Sequence, residues 1–534
     1  MKKKLTLRRS AALLLALLML TCMFGMSLSV WAQEGESNGY EECPALWDLT
    51  LEIGEIPEGW EAEHNQIAAA ASRLRAAPSL RDTIVAGMES AAASINISAF
   101  GVPSGETAIL TALMTAIYLS EPQLFFYGGG YGWTTSGGII TQLWPEYKVT
   151  GAALSTQKAA YDRELAKAVA AAPQGVTDEE KALAVNDYFT LNAKYDYTIA
   201  ANNRYDAYGL LVNKNAVCQG YAMAYGAVMK ELGIPWLYAR STPMTHGWNV
   251  VEIDGEWYHV DVTWNDPVAS LRPVADTDIL GYAGHDFLLL SDDEISDVYH
   301  EHHGWTFPNA EGTITAGSDR FTDAFWLGIE SGMFYKDGLW HYIREILYNR
   351  HDLKSYNYQT GTESLLYQIN AAFPNGSGSY WNANVYLAAG RGDKLYYNVP
   401  DGIFSINFDG TDPQRILDRS DLAVPYSIYE LKFDGCALTY RTAIQDFAPD
   451  VTNYTLDYFE HEYFQSSVTP PTQAAQGYTT YICTYCSHSY NGDFVPKLPT
   501  DPTDPPPIPG GCSSAFASWI WKLVDWLRNI FTFR

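Results

Sequence analysis

The run HGWNVVEIDGEWYHVDVTW, His246 to Trp264, constrains the fold more than any other stretch of this chain. Two segments of alternating character flank Asp254-Gly255, a dipeptide that strongly favours a two-residue β-hairpin turn. With that turn Ile253 faces Glu256, His246 faces Thr263 and Trp248 faces Asp261. Side chains alternate along strands, so these last four share one face, with His246 and Asp261 as diagonal neighbours about 7 Å apart. His259 lies on the same face but opposes Val250, nearer the turn, and is the rival to His246. Asp254 belongs to the turn and Asp266 precedes Pro267 in a loop, so neither competes with Asp261.

Upstream, AVCQGYAMAYGAVMKELGIP reads as a helix that begins at Lys214 or Asn215 and ends on Gly233 and Pro235. Cys218 then lies in or just before the first turn, where unpaired N–H groups and the helix dipole favour a thiolate and would also hold an oxyanion. A cysteine at a helix start, followed by a hairpin that sets histidine beside aspartate, supplies a nucleophile (Cys218), a general base and acid (His246) and a group to orient it (Asp261). Tyr195 and Tyr197, just before the cysteine, are candidates for the walls of a cleft or for simple packing.

A chain of 534 residues exceeds one core, so several domains are expected. Residues 1–32 have a basic start, an apolar stretch and a small-residue exit, the pattern of a signal peptide, which predicts a secreted, extracellular or cell-envelope protein. The net charge is −28, and loss of that leader removes five further bases, which argues against nucleic acid as a partner. Residues 33–79 form a polar, helical lead; an alanine-rich helix spans 61–94. Thr177 with Glu180 three residues later makes a capping box for another helix.

From 311 to 460 the texture is β-rich: GLWHYIREI, KLYYNVPDGIFSINFDGTDPQRIL and IYELKFDGCALTYRT share a strand, Asp-Gly-type turn, strand pattern, as blades or a sandwich would. Residues 461–498 form a small hairpin module with Cys483 and Cys486, similar to Gly-Tyr-Thr-Thr-Tyr-x-Cys-x-x-Cys hairpins appended to bacterial surface proteins. The pair reads first as a local disulfide or simple packing. Zinc would need four ligands, with His461 and His488 the nearby histidines and His461 folded back onto the hairpin. No metal or cofactor is assigned. A proline linker covers 499–511, and 512–534 carries an apolar helical stripe with three tryptophans, suited to peripheral membrane or cell-envelope contact, or to docking back on the chain.

The motifs Ala-Val-Cys218-Gln-Gly-Tyr221, His246-Gly-Trp-Asn and Trp257-Tyr-His-Val-Asp261-Val-Thr-Trp together resemble the transglutaminase-like superfamily, in its secreted bacterial members. The resemblance runs from KYDYTIAANNRYDAYGLL to HDFLLLSDDEI and more loosely covers 80–310. It implies an α+β, papain-like transglutaminase core with a Cys218–His246–Asp261 triad, followed by the β-rich domain and the hairpin module. It implies thiol acyl transfer on the peptide or isopeptide bonds of a protein or peptide substrate. Gln219 stands where cross-linking members carry tryptophan, and no calcium-type acidic cluster is evident, so peptidase or amidase chemistry is expected over cross-linking. The alternative is a catalytically silent, adhesive surface protein.

Overall fold

The computed structural model describes residues 40–42, 78–196, 203–267, 278–310, 313–347, 349–374, 380–389, 394–424, 426–443, 454–458, 461–483, 486 and 488–498. The expected signal peptide, linker and C-terminal helix, and Tyr197, lie outside these residues. The chain forms two compact units, one reaching Lys432 and including Thr439–Tyr454, the other made of Phe433–Leu438 and the residues from Thr455 onward.

In the first unit, helices α1 (Pro78–Glu89) and α2 (Thr107–Ser120) share a core with a long hairpin, β1 (Tyr127–Ser136) and β2 (Ile139–Tyr147). Helix α3 (Gly151–Ala171) stops just before Pro173, as a residue without an amide hydrogen requires. Helix α4 (Asp178–Asn192) starts on the capping box that the sequence predicts, with both Thr177 and Glu180 bonds formed. The second carboxylate oxygen of Glu180 accepts a bond from the buried Trp340 indole at 2.8 Å.

Helix α5 (Cys218–Glu231) is buried from Cys218 through Met229. It lies against a five-stranded antiparallel sheet built from β3 (Trp236–Ser241), β4 (His246–Ile253), β5 (Glu256–Val260), β6 (Leu288–Leu290) and β7 (Trp305–Thr306). The strand order is β6-β5-β4-β3-β7. A short helix, α6 (Val262–Asn265), follows β5. The glycine of the Cys-Gln-Gly-Tyr motif has a steric reason. A Cβ on Gly220 would stand 2.5 Å from the Arg204 carbonyl oxygen and 2.6 Å from the Ala216 Cβ.

The helix does not begin at Lys214 or Asn215. Lys214 has a left-handed φ of 57°, and Asn215-Ala216 pairs in parallel with Lys194-Tyr195. These backbone groups are spent on sheet bonds, so the helix starts later, with Val217 as N-cap and Cys218 as its first residue. Its end is as expected, with Gly233 in the left-handed region.

The apolar core that holds α1 to α5 continues through Phe321, Trp326, Met333, Trp340 and Tyr342. Beyond it come two four-stranded antiparallel meanders. The first is β8 (Phe334–Lys336), β9 (Leu339–Leu347), β10 (Arg350–Asn357) and β11 (Thr362–Asn370); the second is β12 (Leu387–Ala389), β13 (Lys394–Val399), β14 (Gly402–Asn407) and β15 (Gln414–Asp418). Next along the chain come the strands β16 (Ser427–Asp434), β17 (Ala437–Ala443) and β18 (Tyr454–Tyr458). Asp337-Gly338, with both φ values positive at 51° and 84°, makes the tight turn between β8 and β9. The second unit contains the antiparallel sheet β19 (Tyr463–Thr469), β20 (Gly477–Cys483) and β21 (Ser489–Val495).

Candidate active site

The turn at Asp254-Gly255 forms as its chemistry demands, with φ of 52° and 86° at the two positions. Ile253 faces Glu256 and the expected register holds back to Asn249 facing Val260. There the ladder ends. His246 and Trp248 keep Ser241 and Ala239 of β3 as partners on the other side of β4, while on the β5 side neither Thr263 nor Asp261 is their strand partner. Asp261 leaves the sheet to cap α6, where its Oδ1 accepts from the Trp264 amide at 3.1 Å. A carboxylate satisfies the first turn of a helix better than it fits a ladder position, and that preference ends the strand.

The histidine and the aspartate nevertheless meet. His246 Nε2 lies 2.5 Å from Asp261 Oδ2, and the imidazole stacks on Trp248 with ring centroids 5.5 Å apart. The other ring nitrogen, Nδ1, is buried and makes no hydrogen bond of standard geometry. The thiol of Cys218 acts on the same ring: burial disfavours the charge on His246, but the Asp261 carboxylate and then Cys218 outweigh it and push its pKa up to about 10. Burial likewise opposes the charge on Asp261, but His246 and His302 hold its carboxyl well below the usual carboxylate range. Cys218, His246 and Asp261 are 4%, 1% and 0% exposed. With no acidic residue in its first turn and no side-chain cap from Val217, α5 presents its N-terminal amides beside the sulfur.

His302 escaped the sequence reading. Its Nε2 lies 2.9 Å from the same Asp261 Oδ2, and its Nδ1 faces the His300 carbonyl oxygen at 2.8 Å. A carbonyl and a carboxylate both only accept, so the two bonds together need a charged ring. Burial lowers the pKa of His302 despite Asp261, and the neutral ring donates to only one of the two. No periodicity links residue 302 to the hairpin; the histidine cluster YHEHHGW was its only signal.

His259 is not a base beside Asp261. Its Nδ1 accepts from the Trp248 indole at 2.9 Å and its Nε2 meets Asp292 Oδ1 at 2.8 Å. It braces the tryptophan on which His246 rests. Tyr195 stacks with Tyr221, centroids 6.5 Å apart, which favours packing. Tyr221 in turn donates to the buried Asp266 at 2.5 Å. Gln219 is buried, and its amide donates to the Tyr118 hydroxyl at 3.3 Å.

Residues 163–262, which end one residue past Asp261, match the family model of the transglutaminase-like superfamily core. The chain therefore contains a transglutaminase-like domain. It is similar to a solved structure of a TGase, with 15% identity over 25% of this chain and 44% of that one at a TM-score of 0.18. It is also similar to a protein from Cytophaga hutchinsonii described as a candidate cysteine protease, with 13% identity over 25% of this chain and 61% of that one at a TM-score of 0.17. The chain thus spans less than two thirds of either structure. No curated protein sequence matches it.

Proposed function

We propose that this chain is an exported cysteine acyl-transfer enzyme acting on peptide or isopeptide bonds, with hydrolysis favoured over cross-linking. The observation that carries this reading is the His246–Asp261 bond, which leaves Nδ1 as the ring nitrogen open to the sulfur of Cys218. A helix that begins with the cysteine and packs on an antiparallel sheet carrying the histidine supports the finer, papain-like description of the core.

In this mechanism Cys218 and His246 react as a thiolate and imidazolium pair, the ring keeping its proton at neutral pH, and the thiolate attacks the substrate carbonyl carbon. Amides at the start of α5 receive the developing oxyanion. As the C–N bond breaks, the imidazolium gives its proton to the leaving amine, and a thioester to Cys218 remains. Water, deprotonated by the same imidazole, cleaves the thioester and frees the acid and the thiol. Asp261 holds the ring orientation and balances its charge in both halves. Gln219, standing where cross-linking relatives of the resemblance carry tryptophan, supports water over a lysine amine as acceptor. Export rests on the leader at 1–32 alone; among the described residues no helix is long and apolar enough to cross a membrane.

Iodoacetamide should alkylate Cys218 at neutral pH much faster than it alkylates an ordinary thiol, and His246→Ala should remove that advantage. Asp261→Asn, which keeps a side-chain oxygen to cap α6, should cost more than roughly tenfold in turnover by inverting the histidine tautomer. Slow labelling that is indifferent to His246 would leave the adhesive, silent alternative in place.

A further inference from the structure

We propose that the second unit is held together by a structural zinc ion bound by Cys436, His461, Cys483 and Cys486. The sequence supplies a lone Cys-x-x-Cys pair, for which a disulfide or plain packing is the simplest expectation. The structure adds a third cysteine from far upstream and selects one of the two histidines. Cys436 sits in the turn between β16 and β17, His461 two residues before β19, Cys483 at the end of β20 and Cys486 three residues further on. The four donor atoms lie within 4.8 Å of one another.

The separations fit a tetrahedron and not a disulfide. Cys436 Sγ is 3.4 Å from Cys483 Sγ and 3.2 Å from Cys486 Sγ, and none of the three cysteines is in a disulfide. A disulfide would bring two sulfurs to about 2.05 Å and strand the third. Thiolates about 2.3 Å from a tetrahedral zinc stand roughly 3.8 Å from each other, close to what is seen. His461 Nδ1 lies 3.2 Å from the Cys436 sulfur and 3.3 Å from that of Cys486, so one nitrogen and three sulfurs converge on a single point. Three soft thiolates with one imidazole select zinc among common divalent ions, and four protein ligands leave no open position, which makes the site structural.

His488 is a support, not a ligand. Its ring stacks on His461 with centroids 4.3 Å apart and planes 11° from parallel, and its Nδ1 pairs with the Tyr463 hydroxyl at 2.7 Å. Its backbone carbonyl accepts from the amide of the ligand Cys483 at 2.9 Å. This fixes the plane of the ligating imidazole, the usual task of groups around a metal.

The sheet itself gives the reason such a clamp is needed. β19 and β21 are exposed along most of their length, with Phe464 51%, Val468 60% and Phe494 56% accessible. Three short strands with so little buried apolar surface do not supply a core of their own, and a metal is one of the few substitutes.

The test is metal analysis of the full chain, purified reduced and without chelators, with Cys218→Ser as a control outside the cluster. About one zinc per chain is expected in the wild type and in Cys218→Ser, with near-complete retention in His488→Gln and loss below roughly a tenth in Cys436→Ser. Wild type without zinc, or Cys436→Ser that retains it, would overturn the proposal. Cobalt loading of the wild type covers the case in which a variant misfolds: thiolate-to-cobalt charge-transfer bands with tetrahedral ligand-field absorption are expected. Their absence, or cysteines mapped as a disulfide in the native protein, would equally overturn it.

Discussion

Asp261 divides two oxygens among three groups: Oδ1 caps α6, and Oδ2 receives both His246 and His302. The pH dependence follows from that division. An imidazole whose pKa is raised to about 10 on folding binds its proton more tightly in the folded chain. Its stabilising contribution is complete below about pH 6.5, the unfolded value, and is lost as pH rises to about 10. Asp261, held below the usual range, contributes above about pH 4 and loses its share in acid. Urea unfolding of wild type against His246→Gln should therefore show a difference that is largest near pH 5 to 6 and shrinks toward pH 10. Activity should fall on an alkaline limb in the same region. A stability difference that stays constant over this range would mean that the ring is not charge-paired.

At the level of elements, α5 meets its neighbours with no space to spare. Gly220→Ala would push a methyl into the Arg204 carbonyl, backbone that cannot swing aside as a side-chain end does. A loss of about 1–3 kcal/mol is expected in chemical denaturation, with labelling of Cys218 impaired alongside because the helix start must shift. The helix end, the Asp254-Gly255 turn and the register from Asn249 to Ile253 were legible in the sequence because each is decided within a few residues. The strand's early end was not, since Asp261 chooses between a ladder and a helix cap only once α6 exists. The late start of α5 was hidden for a similar reason: Asn215-Ala216 is claimed by a strand some twenty residues earlier. His302 and Cys436 reach their clusters through chain closure, and no local pattern announces either.

Within the first unit, the transglutaminase-like segment shares its interior with the residues just beyond it, as far as Tyr342, while the two meanders bury a further cluster of their own. Trp340 donates to Glu180, and the Met333 amide donates to Asp187 at 2.7 Å. Asp187 also meets His285 Nε2 at 2.7 Å, while His285 Nδ1 donates to the Ile329 carbonyl. Both partners of that ring accept, and although burial opposes its charge, Asp187 raises its pKa. A chain ended at residue 310 would keep Cys218, His246 and Asp261 but lose Phe321, Trp326, Met333, Trp340 and Tyr342 from the core. It should be recovered insoluble or without a cooperative thermal transition; a soluble, cooperatively melting product would mean that the downstream strands are an accessory.

The bonds that α4 receives from Trp340 and Met333 also bear on how this site could be transplanted. Moved alone, the stretch that carries the triad would arrive with Glu180, Asp187 and His285 facing an empty flank, so a graft onto another scaffold should bring the sheltering strands with it.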